Sequence, residues 1–99
     1  MIILVNAPAI LFEVMNAARQ RIALSLGIPL EWVDFQLAPD EGSGKLRPEV
    51  RVQKPDEVPE DLKRARLFTE SDEWRSECIG AIVRTAMREF TLRREGARA

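Results

Sequence analysis

Apolar residues recur every three or four positions along two long stretches of this chain and every second position along two short ones. From Ala9 to Leu26 the apolar set is Leu11, Val14, Met15, Ala18, Ile22 and Leu26, with Glu13, Asn16, Gln20 and Arg21 on the other side. That spacing predicts an amphipathic helix of about five turns. Gly27 and Pro29 close it, one by supplying a left-handed residue and the other by forbidding continuation. The second long stretch carries Trp74, Cys78, Ile82, Ala86 and Phe90 at steps of four, widened by Ile79, Val83 and Met87. It predicts a helix over 71–94, opened by the hydroxyls and acids of Thr69–Glu73 and closed by a cluster of arginines, each charge at its favourable end.

Between the helices, Val33, Phe35 and Leu37 alternate with Asp34 and Gln36; then Leu46, Pro48, Val50 and Val52 alternate with Arg47, Glu49, Arg51 and Gln53. Two period-two segments around Pro39–Gly44 predict an antiparallel hairpin. One register that sets apolar against apolar pairs Asp34 with Glu49. The next pairs Asp34 with Arg51, Val33 with Val52 and Phe35 with Val50, and it is preferred because opposite charges then face each other. Pro48 has no N–H to give, so its position must turn outward or lie at an edge.

The all-apolar run Met1–Val5 predicts a short covered strand, with Asn6-Ala7-Pro8 as a helix entry. No Lys or Arg precedes Arg19, so a secretory leader is not expected there. Lys54–Glu60 reads as a connection, and Asp61–Phe68 as a short helix with Leu62 and Ala65 inward. The expected fold is therefore α+β in two layers. A small mixed sheet in strand–helix–strand–strand–helix–helix order carries its helices on one face. A single domain spans 1–95, with 96–99 as a frayed tail. The narrow sheet has open edges, so a homo-oligomer is expected.

Composition narrows the chemistry. The 99 residues hold no His, no Tyr and one Cys, which closes His-dependent triads, His-ligated metal sites and an intramolecular disulfide. No metal or cofactor is expected, and a lone Cys points to a reducing compartment such as the cytoplasm. Fifteen basic and sixteen acidic residues give a net charge of −1, so no whole-chain field calls for nucleic acid or an anionic membrane. No apolar run is long enough to span a bilayer. Gly42-Ser43-Gly44-Lys45 has the wrong spacing for a phosphate loop and is followed by a strand, so it reads as a hairpin tip. Cys78, on an apolar helix stripe, reads as a buried structural thiol. Residues 55–77 hold eight acids and four bases, while 84–99 hold five Arg and two Glu. That polarity suits attraction between neighbouring copies better than a basic arm on phosphates.

Residues 50–88 resemble the ribbon-helix-helix DNA-binding family at Pro55, Asp56, Glu57, Val58, Leu62, Ser76, Glu77 and Ile79. The resemblance implies a dimeric ribbon whose outward residues Glu49, Arg51 and Gln53 read the major groove. Pro59 inside the implied first helix departs from the pattern. Residues 1–52 are similar in layout to the tautomerase superfamily: strand, Asn6-Ala7-Pro8, helix, Gly27-Ile28-Pro29, then a strand ending Pro39-Asp40. That family uses an N-terminal proline as base. Ile2 stands there instead, so an enzyme of this shape is expected to lack that chemistry. The sequence thus points first to a non-enzymatic module that associates with itself and with one larger protein partner. Trp32, Arg47, Glu49 and Arg51 are the expected contact residues, as aromatic and Arg side chains are enriched at interface hot spots.

Overall fold

Two long helices lie against each other, with a two-stranded hairpin laid over them. The computed structural model describes residues 2–39, 42 and 46–98. Helix α1 spans Ile2–Leu26, strand β1 Val33–Pro39, strand β2 Leu46–Val52, helix α2 Arg66–Thr69 and helix α3 Asp72–Arg98. Single 3-10 turns at Leu30–Trp32 and Glu60–Leu62 complete the order. The fold class is α+β, as expected.

The closure of α1 follows its sequence. Gly27 takes φ 71°. Its N–H reaches the Leu24 carbonyl at 3.3 Å, and the Ile28 N–H reaches that of Ala23 at 3.0 Å, the paired bonds of a Schellman motif. Ile28 is thereby folded back into the core beside Ala23. At the start of α3, the Ser71 hydroxyl accepts the Trp74 N–H at 3.1 Å and satisfies one of the first-turn donors.

The hairpin adopts the preferred register, with Val33 opposite Val52, Asp34 opposite Arg51 and Phe35 opposite Val50. The Gln53 N–H donates to the Trp32 carbonyl at 2.7 Å, which puts these two residues at a hydrogen-bonding position of the ladder, while the Trp32 N–H turns to the Pro29 carbonyl at 3.1 Å. By alternation, Leu37 and Pro48 form a non-hydrogen-bonded pair. The missing donor of Pro48 consequently faces away from β1 and costs the ladder nothing. Apart from Gly42, the Gly42–Lys45 tip lies outside the described residues.

The core has two lobes. Ile22, Ala23, Leu26, Ile28, Trp32 and Val33 form one, capped by side chains of α2 and the middle of α3. Val14, Met15, Ala18 and Ala86 form the other, closed by Phe35 and Phe90. Val50 and Ile82 pack against both lobes and join them.

Several expectations are corrected. Ile2–Val5 is the first turn of α1, so the sheet has two strands, antiparallel, and α1 runs through Asn6-Ala7-Pro8 instead of starting there. A short apolar run fits strand or helix alike, and a strand needs an edge to join. The outer edge of β1 is occupied. The Arg19 guanidinium donates to the Val33 carbonyl, and the Asp34 carboxylate accepts the Phe35 N–H at 2.8 Å. The expected helix over 61–68 is divided into the 3-10 turn and the four-residue α2. Helix α3 continues to Arg98, past the expected end at residue 94 and into the expected tail.

Candidate functional site

The outward face of the hairpin carries Asp34 and Gln36 from β1 and Arg47, Glu49 and Arg51 from β2. Arg47 and Glu49 form an ion pair at 3.2 Å, and Gln36 Nε2 donates to the other Glu49 oxygen at 3.4 Å. Glu49 is thus held from both sides, while Arg51 stays exposed. Gln53, just past β2, is exposed as well, its N–H used in the ladder.

Trp32 is not on this face. It is 7% exposed, at the end of the 3-10 turn before β1, and packs edge-on against Phe68 with ring centroids 6.4 Å apart. The turn rotates it off the alternation that would have put it beside Arg51. Trp32 is a core residue, and three of the four expected contact residues remain at the surface.

Around Phe68 and Trp74 the cations are structural. Arg66 lies over the Trp74 ring at 4.4 Å. Arg75 donates to the carbonyls of Leu67 and Glu70, at 2.8 and 2.5 Å, and pairs with Asp72. It therefore supplies the donors that the last carbonyls of the short α2 lack. Further along α3, Arg93 pairs with Glu13 of α1 at 2.6 Å, and Arg94 lies over the Phe90 ring at 5.4 Å. Two members of the C-terminal arginine cluster are thus engaged within the chain, while Arg84 and Arg88 are exposed.

Cys78, expected to be buried, is half-buried on α3. Among the described residues, no group of three or more acids or thiols is gathered as a metal would require. No helix among them is long and apolar enough to cross a membrane.

The layouts of both resemblances differ from what these residues build. β2 pairs with β1 of its own chain, and the stretch after Pro55, where the ribbon-helix-helix resemblance implies a helix, is a connection that leads through Pro59 into the 3-10 turn. The tautomerase layout loses its opening strand to α1.

A feature missed from the sequence is Leu24, 82% exposed on α1. It lies four residues after Gln20 and eight after Asn16, so an apolar residue on the polar side of the helix was its signal. On one side of it a groove of about 380 Å³ runs to Ala81 and Thr85 of α3. On the other, a hollow of about 390 Å³ is bounded by Ala23, Ile28 and Leu30. Leu92 is 63% exposed and Phe12 49%. Compared with protein-family models, curated proteins and solved structures, the chain matches none of them.

Proposed function

We propose that this chain is a non-enzymatic module for protein–protein association that binds copies of itself. The observation that carries the reading is the surface left bare. The chain exposes 7118 Å², whereas a compact monomer of its 11.3 kDa mass exposes about 5,700 Å². Its radius of gyration is 15.4 Å, against about 13 Å for a compact chain of this length. Both figures reflect an elongated shape, 50 × 25 × 21 Å, in which long faces of the two helices lie open to a partner. Exposed leucines on both long helices supply the apolar part of such a contact, and Arg47, Glu49 and Arg51 supply a charged surface. Without Trp32 that trio has no aromatic anchor, so the weight of the reading shifts to the helices. Association with one larger protein and residence in a reducing cytoplasm, suited to the single thiol of Cys78, belong to the same reading.

Sedimentation equilibrium over a wide concentration range tests it. A mass of at least two chains is expected. A clean 11.3 kDa species at high concentration overturns the self-association.

A further inference from the structure

The two outer edges of the hairpin are not alike. On β1 the outward backbone groups are taken within the chain: the Val33 N–H by the Leu30 carbonyl, the Val33 carbonyl by Arg19 and the Phe35 N–H by the Asp34 carboxylate. On β2 the register turns the carbonyls of Pro48, Val50 and Val52, and the N–H groups of the two valines, away from β1. Neither valine N–H meets an acceptor among the described residues, and no further strand pairs with this edge. Such a row is a template for one more strand. The valine side chains pack toward the core, so an added strand is held by its main chain and needs no aromatic anchor.

The same strand of a second copy fits this edge. With a two-fold axis through Val50, each Val50 exchanges both of its bonds with the other, and each Val52 N–H meets the Pro48 carbonyl of the other copy. Glu49 then lies opposite Arg51 on both sides of the axis, at the closely spaced positions of the ladder. Together with the Asp34–Arg51 pairing inside each hairpin, the row reads acid, base, acid across neighbouring strands. The next alignment in either direction sets Arg51 against Arg51 or Glu49 against Glu49, like against like. Glu49 already holds Arg47 and Gln36, and a carboxylate with about four acceptor positions has room for a further donor. We propose that two copies of this chain join through β2 in this alignment, making one antiparallel sheet of four strands in the order β1-β2-β2-β1. This rests on the self-association reading and adds a main-chain contact to it.

The test follows Glu49→Arg and Arg51→Glu by sedimentation equilibrium, each alone and the two mixed in equal amounts. Alone, either variant sets like charges opposite each other on both sides of the axis, and its dimer constant is expected to weaken about tenfold. Mixed, the two chains set Arg against Glu at each of these positions, and the wild-type constant is expected to return. A chain weakened by misfolding is not rescued in this way. In the wild type, amide exchange at Val50 and Val52 should slow as protein concentration rises, while that at Phe35, bonded to Asp34 within the chain, should hold. If the wild type dimerises but the mixture is no tighter than either variant alone, or the two valine amides exchange at one rate at every concentration, the β2 contact is overturned while self-association stands. A wild type that stays monomeric throughout overturns both.

Discussion

Arg19 of α1 donates its Nε to the backbone carbonyl of Val33, the first residue of β1. Its second nitrogen reaches the Leu30 carbonyl at 3.3 Å, so one side chain from the helix fixes both the 3-10 turn and the outer edge of the strand. With Asp34 on the Phe35 N–H, two residues guard this edge of a sheet that is only two strands wide. Such guarding is what keeps edge strands from templating further pairing.

Replacing Arg19 with Met keeps the packed stem and removes the donors. The variant is expected to lose about 1–2 kcal/mol in urea denaturation, since a charged hydrogen bond to a half-buried carbonyl is lost. It should also scatter more light on prolonged incubation as the β1 edge becomes free to pair. Unchanged stability and unchanged scattering would show the edge to be closed by other means.

Trp32 predicts a larger effect. Because it is 7% exposed and contacts Phe68 edge-on, Trp32→Ala should cost about 3–5 kcal/mol by leaving a cavity between β1 and α2. Trp32→Phe, which keeps a ring there, should cost distinctly less. Equilibrium unfolding of the two variants checks this, and a cost below 1 kcal/mol for the alanine form would contradict the burial.

Ser71 caps α3 through the Trp74 N–H. Ser71→Ala is expected to lower stability by about 1 kcal/mol and Ser71→Asp to restore it, because the carboxylate also favours the helix N-terminus. Thermal melts of the three proteins make the comparison. Equal midpoints for the serine and alanine forms would count against a capping role.

Duplex DNA offers a separate check. Arg93 is paired with Glu13, Arg94 lies over Phe90 and Arg47 is paired with Glu49, so three of the cations that a phosphate contact would use are engaged within the chain. The expected result is unaltered electrophoretic mobility of random duplex at low salt. Retardation that falls away steeply with added salt would instead support phosphate contact.

How far the chain could be read from its residues depends on the range of the forces involved. The hairpin register was legible because alternation, together with the choice that sets Asp34 opposite Arg51 and not Glu49, discriminates between neighbouring alignments across a single strand spacing. The end of α1 at Gly27 and the start of α3 after Ser71 were legible for the same reason: caps are local chemistry. Of the expected contact residues, Arg47, Glu49 and Arg51 reached the surface because strand alternation placed them there.

Trp32 and Ile2–Val5 were decided elsewhere. Trp32 lies one residue before β1, where a 3-10 turn overrides alternation, and its burial required Phe68 from an element 36 positions along the chain. Ile2–Val5 had the composition of a strand but depended on an open edge, and Arg19 and Asp34 had taken the one on β1. Leu24 was visible in the sequence as an apolar residue out of place, but the groove next to it exists only where α3 passes beside α1. The sequence by itself determined the periodicities, the caps and the pairing of one strand with the other, because each rests on neighbours within a turn or a ladder. The tertiary structure alone decided which apolar groups were covered and which stayed bare, because burial depends on what arrives from the far end of the chain.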